Sequence, residues 1–402
     1  MKRKCEINMF PDFYEFQHNT KIVSGRYALE NLAAELRQLG VKKPLLLSDE
    51  GLVAAGIVRQ VTDSVENNGL KWAAVYTEIP RDSSLDVVNK IAAFYQKTGC
   101  DALVAVGGGS VIDTAKGARM VLSLNVEDIR NLAGCECIRR GRRIPFAVIP
   151  TTSGTGSEST LVAVIRDDLR KQKLEYISYE LQPDLAVLDP RTTITLPPLI
   201  TATTGMDALC HAVEAFTCMQ KNPVSDAYAA AAMNLIRENL TKAVRDGQDE
   251  KARLAMANAS MLAGAAFSNS MVGLVHAIGH ALGSVCMVPH GHAMTILLPY
   301  VMMYQYPKLR PLYAEMLVYL AGPDIYAATP EEKRGRETIR TIMIMKRRLH
   351  KICYLPEKLS EAGVSRADFD RIASLAIDDG AMIVNPVAAN KQDILKILER
   401  AY

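Results

Sequence analysis

The feature that most constrains this chain is a change of hydrophobic period at Pro197-Pro198. Ahead of it, short apolar runs alternate with helical stretches. The runs are Pro44–Asp49, Lys71–Val75, Asp101–Val106 (DALVAV), Ile144–Ile149 (IPFAVI) and Leu185–Leu188; the helical stretches include Gly51–Asn67, Ser84–Thr98 and Ser110–Leu122. Short buried strands separated by ~12–16-residue helices are the pattern of βαβ units and a parallel sheet. Behind the two prolines only the helical spacing remains, with apolar residues at i, i+3 and i+4. It runs through Asp226–Leu240, Asp249–Phe267, Gly273–Ser284, Ala293–Tyr304, Pro311–Tyr319, Pro330–His350, Ser365–Ala376 and Asp393–Tyr402. A chain of 402 residues exceeds one ordinary core. The expected fold is therefore an α/β parallel-sheet domain over residues 1–190, followed by an all-helical domain over 191–402.

Two loops in the first half carry chemistry. The strand DALVAV runs into Gly107-Gly108-Gly109-Ser110 and then a helix, and IPFAVI runs into Pro150-Thr151-Thr152-Ser153-Gly154-Thr155-Gly156-Ser157-Glu158. Glycines allow a tight turn and close approach of a ligand to the backbone, and a helix N-terminus attracts an anion such as a pyrophosphate. Ligands of open α/β sheets bind beyond the carboxyl ends of the strands, so both loops are expected to line one crevice. Asp49, ending an earlier strand, belongs on the same edge. A carboxylate there can accept bonds from an adenosine ribose and repels a 2′-phosphate, which favours NAD over NADP. Neither loop has the G-x-G-x-x-G order, so the pattern alone supports a nucleotide- or phosphate-binding domain.

The second half concentrates potential metal ligands. Four of the seven histidines fall between residues 276 and 292. Asp207 and His211 are spaced i, i+4, as are His276 and His280, which puts each pair on one helix face. His290 follows in Pro289-His290-Gly291-His292. Buried imidazoles without partners cost ~1–3 kcal/mol each, and one divalent ion would satisfy several. A carboxylate with imidazoles suits Fe²⁺ or Zn²⁺ over Mg²⁺ or Ca²⁺. Spacing leaves five side chains competing for a four-ligand site, with Glu214 a sixth candidate read as orienting a ligand.

The composition excludes other partners. Lys and Arg number 47 against 44 Asp and Glu, a net charge of +3 that offers no field for nucleic acid or an anionic membrane. Arg139–Arg143 and Lys346–Arg348 read as solvated surface. The start MKRKCEINMFPDFYEF develops no apolar signal core, and no run reaches the ~18–20 residues of a membrane span. Eight scattered cysteines without C-x-x-C pairs suit a reducing cytoplasm. A homodimer or higher homo-oligomer is the expected assembly.

The ordered stretches GGGSVIDTAK (107–116), PTTSGTGSE (150–158), AVLDP through GMDALCHAVEAF (186–216) and GLVHAIGHALGSVCMVPHGHA (273–293) resemble the iron-containing (group III) alcohol dehydrogenase family over essentially the whole chain. The resemblance implies the dehydroquinate synthase-like fold, a dinucleotide-binding domain before a helical metal-binding one. It implies an NAD(H)-linked enzyme interconverting primary alcohols and aldehydes, and an apolar pocket would suit short-chain aliphatic ones. It places the metal, Fe²⁺ with Zn²⁺ as the alternative, on Asp207, His211, His276 and His290. His280 then falls on an active-site histidine that is not a ligand. Gly107, Gly108, Gly109, Ser110, Asp113, Thr151, Thr152, Lys173 and Asp49 fall on cofactor-contacting positions, and Val162, Phe267 and Val272 on positions that shape the substrate pocket. A metal-dependent hydrolase or lyase with a phosphorylated substrate in the glycine loops is the rival reading. The apolar Phe267–Val275 stretch speaks against the polar, cation-rich pocket of a dehydroquinate synthase-like lyase.

Overall fold

A computed structural model describes residues 11–170 and 172–402. Cys5 and the first ten residues of the N-terminal stretch read above lie outside the described residues. Nine strands lie among the described residues: β1 (Lys21–Ser24), β2 (Pro44–Leu47), β3 (Ala74–Tyr76), β4 (Ala102–Gly107), β5 (Gly134–Cys135), β6 (Phe146–Pro150), β7 (Val162–Asp167), β8 (Gln172–Ile177) and β9 (Leu185–Leu188). The helices of the first half are α1 (Leu32–Gln38), α2 (Glu50–Ala54), α3 (Ile57–Asn67), α4 (Leu85–Thr98) and α5 (Gly109–Leu124). Those of the second are α6 (Pro198–Thr217), α7 (Pro223–Arg245), α8 (Glu250–Ser268), α9 (Leu274–Cys286), α10 (His290–Ala321), α11 (Pro323–Ala328), α12 (Glu331–Cys353), α13 (Phe369–Ile377) and α14 (Lys391–Ala401).

Six strands form a wholly parallel sheet in the order β1-β9-β6-β4-β2-β3. Its inner strands are buried on both faces, which is why they read as continuous apolar runs. Leu45, Leu47, Leu103, Ala105, Phe146 and Val148 share one core with Val88 and Ile91 of α4 and with Val111 and Ala115 of α5. Leu46, Val104, Val106, Ala147 and Ile149 share another with Leu32 and Leu36 of α1 and with Val58, Val61 and Val65 of α3. From β2 the chain winds outward to β3, then returns past β2 to β4 and continues to β6 and β9. The winding reverses between β2 and β4, so the carboxyl ends of those strands flank a topological switch point.

Three differences from the sequence expectation have physical causes. A second sheet, β5-β8-β7, pairs β7 and β8 antiparallel from Val162 opposite Ile177 to Asp167 opposite Gln172. Its strands hide from an apolar pattern because they carry Arg166, Asp167, Lys173 and Glu175. The segments Ala293–Tyr304 and Pro311–Tyr319 are one 32-residue helix, α10, running through Pro299, Pro307 and Pro311. A proline removes one helical N–H, but the apolar face from Ala293 to Leu320 is buried and holds the helix on course. Compactness also divides the chain elsewhere than at residue 190. Residues 18–208 and 238–264 form one unit, so the first half of α6 and most of α8 belong with the sheet; 209–237 and 265–402 form the other, with the segment ending at Gln17.

Candidate metal and cofactor site

Helix α6 carries Asp207, His211 and Glu214 on successive turns, and all three are buried. It continues unbroken past residue 208, so Asp207 keeps its place one turn before His211. Helix α9 carries His276, also buried, and α10 opens with the exposed His290. Ligand atoms of His276 and His290 lie within 4.8 Å of each other. The His211 ring stacks 4.7 Å from His276 on one side and 4.4 Å from Phe267 on the other. The His290 and His276 rings are 5.5 Å apart.

The start of α9 is built to orient His276. Asn385 Oδ1 accepts the Leu274 amide at 3.0 Å, and Glu214 Oε1 accepts the Val275 amide at 2.7 Å. A Cβ on Gly273 would stand 2.7 Å from Asn385 Oδ1, so only glycine lets this cap approach. The second Glu214 oxygen meets His276 Nδ1 at 2.5 Å. That carboxylate fixes the Nδ1–H tautomer and leaves the Nε2 lone pair for a ligand. His276 Nε2 is buried with no hydrogen-bond partner among the described residues. A divalent ion is the partner that fits such a nitrogen beside a carboxylate and further imidazoles.

His280, one turn beyond His276, is engaged differently. Its Nδ1 lies 2.9 Å from Asp379 Oδ2, while Asp379 Oδ1 accepts the Ala381 amide at 2.9 Å. Burial pushes the Asp379 carboxyl up, but the His280 hydrogen bond and charge, with the Ala381 amide, bring it below the usual range. The His280 ring is 5.9 Å from His276 and 5.7 Å from His290. His292 is partly buried, its imidazole pushed down by desolvation, and it is not in the ligand group.

In the sheet-bearing unit, Asp49, Gly107 and Thr151 end or follow the adjacent strands β2, β4 and β6. Thr151 donates its amide to the Gly107 carbonyl at 3.0 Å. A Cβ on Gly108 would meet Thr152 at 3.1 Å and one on Gly109 would meet Thr155 at 2.9 Å, so the two loops close on each other only because these residues are glycine. Helix α5 starts there at Gly109, with the Ser110 hydroxyl donating to the Arg81 carbonyl. Asp49 caps α2 by accepting the Leu52 amide at 2.9 Å. Lys173, on β8, is half-exposed and 3.6 Å from Asp82.

Asp113, expected as a cofactor contact, has each oxygen hydrogen-bonded once inside the protein: Oδ1 accepts the Ser157 hydroxyl at 2.7 Å and Oδ2 the Val164 amide at 3.0 Å. Burial pushes this carboxyl up, against the nearby Lys116, the two hydrogen bonds and Lys173. Of the pocket candidates, Val162 opens β7 and its carbonyl accepts from Lys116. Phe267 lies on His211, and the Val272 carbonyl accepts from Cys218. Sequence reasoning missed Asp379 and Asn385, which reach the histidine helix from about a hundred residues downstream. It also passed over Lys116 and Glu158, whose signal was available: charged residues closing two glycine-rich motifs and fully buried.

Residues 19–190 match the family model described as iron-containing alcohol dehydrogenase, and residues 201–402 match its C-terminal counterpart. The chain is 35% identical over 379 residues to an NAD-dependent methanol dehydrogenase of Bacillus methanolicus, covering 94% of this chain and 97% of that one. It is 34% identical over 380 residues to alcohol dehydrogenase 4 of Saccharomyces cerevisiae, covering 94% and 96%. The crystal structure of a 1,3-propanediol oxidoreductase superposes with a TM-score of 0.92 at 32% identity, covering 97% of this chain and all of that one.

Proposed function

The chain belongs to the iron-containing alcohol dehydrogenase family, and from that premise we propose that Asp207, His211, His276 and His290 hold its metal while His280 relays the proton. The enzyme is an NAD(H)-linked oxidoreductase acting on alcohols and aldehydes. The observation that carries the site is His276, with Nδ1 on Glu214, a buried Nε2 that has no partner among the described residues, and His290 donor atoms within 4.8 Å.

When bound, the ion supplies Lewis acidity toward the substrate oxygen and the nicotinamide accepts or donates the hydride. The protein supplies orientation and proton movement. Glu214 sets the His276 tautomer. Asp379 holds Nδ1–H of His280, so Nε2 is the nitrogen that takes the hydroxyl proton in oxidation and returns it in reduction. The Gly107–Ser110 loop and the N-terminus of α5 receive the pyrophosphate; Thr151, Thr152 and Lys173 add contacts; and Asp49 selects NAD through the ribose. Phe267 on His211, with Val162 and Val272, supports short aliphatic primary alcohols as substrates. Fe²⁺ is the working ion in this reading, and Zn²⁺ binds the same donors.

The seven described cysteines are all free thiols, which supports a cytoplasmic location. No described helix is long and apolar enough to cross a membrane. A homodimer is the proposed assembly, the commonest closed form, and light scattering tests it. The function is tested with metal-stripped protein refilled anaerobically with Fe²⁺ or Zn²⁺ and offered aldehydes with NADH. Refilling should restore NADH oxidation, and His276→Ala should lose metal and turnover together. A His276→Ala protein with normal turnover and no metal would end the proposal.

A further inference from the structure

Strand β7 pairs with β8 on one side; among the described residues no strand lies along its other edge, which is met only by a single bridge between Ser84 and Arg166. A covered edge still leaves N–H and C=O groups that need partners. Here side chains of α5 supply them. Lys116 Nζ donates to the Thr160 carbonyl at 2.9 Å, to Thr160 Oγ1 at 2.9 Å and to the Val162 carbonyl at 2.7 Å. Asp113, three residues earlier and on the same helix face, accepts the Val164 amide. The next alternate amide, that of Arg166, goes to the Ser83 carbonyl at 2.8 Å. Residues 160, 162, 164 and 166 present their backbone groups along one edge because a strand alternates sides. Lys116 thus serves the edge carbonyls of 160 and 162, Asp113 the amide of 164, and the backbone at Ser83 the amide of 166.

We propose that Asp113 and Lys116 act as a surrogate edge strand and are positioning residues for the dinucleotide, locking the β7–β8 hairpin that carries Lys173 to the helix that starts at the glycine loop. The inference rests on the reading of that loop and Lys173 as the nucleotide site. The clamp accepts one register: slipping β7 by one residue would turn the wrong groups toward it. Lys173 stands opposite Arg166 in the hairpin, so fixing β7 fixes Lys173. Asp113 also holds Ser157, which ties the second glycine loop to the same helix. Burial drives the Lys116 ammonium down to about 8, with Asp113 and then Glu158 opposing it, in keeping with a clamp shut away from water.

The test is NADH binding, followed by fluorescence, together with amide hydrogen exchange. In the wild type the Val164 and Arg166 amides should exchange as slowly as those of Ala163 and Ile165. Exchange as fast as an open edge overturns the proposal without touching the nucleotide site. Asp113→Ala and Lys116→Met should each weaken NADH binding about tenfold, since the buried edge groups they abandon would move the hairpin to find partners. Asp113→Asn, whose amide oxygen can accept from Val164 while its NH2 meets Ser157, should stay within about twofold. Should Lys116→Met fail to fold, the Asp113 pair carries the same comparison. Adding Lys173→Ala to Asp113→Ala should cost little more than the worse single change; fully additive losses would show that the clamp does not act through Lys173. If Lys173→Ala alone binds NADH as the wild type does, the reading of Lys173 fails instead, and Val164 protection still reports on the clamp.

Discussion

Replacing Glu214 by Gln changes almost no volume and should nonetheless damage metal binding. The wild-type carboxylate accepts twice, from the Val275 amide at 2.7 Å and from His276 Nδ1 at 2.5 Å. An amide has one acceptor oxygen and one NH2. In the metal-free variant the satisfied arrangement keeps the oxygen on Val275 and turns the NH2 toward Nδ1. Nδ1 then accepts, and the ring proton moves to Nε2, where the ion must bind. Restoring a ligating Nε2 requires the amide to flip, which faces its NH2 against the buried Val275 N–H. An unpaired buried donor costs ~1–3 kcal/mol, and the cost falls on metal binding because the metal-free state avoids it. At about 1.4 kcal/mol per tenfold, the ion should bind on the order of 10–100 times more weakly. Glu214→Ala leaves both donors unpaired with or without metal, so it should lose more folding stability than Glu214→Gln. Competition against a chelator, with Zn²⁺ or anaerobic Fe²⁺, measures the affinity, and denaturant unfolding of the metal-free proteins measures stability. A Gln variant that holds metal within about twofold of wild type would refute the tautomer argument.

Other outcomes follow from the same geometry. Asp49→Gly should raise NADPH use relative to NADH, because the carboxylate no longer repels a 2′-phosphate; an unchanged ratio of kcat/KM values removes Asp49 from cofactor choice. Glu158 is 1% exposed, and burial lifts its carboxyl from 4.5 to about 7, against a hydrogen bond from its own backbone and the charge of Lys116. A raised carboxyl makes ionisation costly in the folded state, so the penalty is absent below the unfolded value and complete above the folded one. Glu158→Gln should therefore gain up to ~3 kcal/mol over wild type at about pH 7.5 and little at about pH 4.5; a pH-independent gap in chemical denaturation would disprove this. Phe267→Ala opens space beside His211 and should raise kcat/KM for longer aldehydes relative to short ones, and equal changes for all chain lengths would place Phe267 outside the pocket.

Much of this protein is legible before folding is considered. Central strands such as Leu45–Leu47 and Leu103–Val106 are apolar throughout because helices cover both faces of a parallel sheet. The i, i+4 pairs on α6 and α9 follow from helix geometry, and Glu214 stands one turn from His211 for the same reason. The glycine loops show themselves by composition. What the sequence could not decide is who meets whom across long separations. Nothing local to Asp379 links it to His280, and nothing local to Asn385 links it to the start of α9. The β7–β8 hairpin escaped because its charged residues mask the alternation, and nothing local to Asp113 shows that Ser157 and Val164 hydrogen-bond its oxygens. The sequence by itself determined the elements and the kinds of chemistry, since period and residue type are local properties. Only the tertiary structure decided which nitrogen of His276 is held and which is left, because that depends on a carboxylate brought to it by another helix.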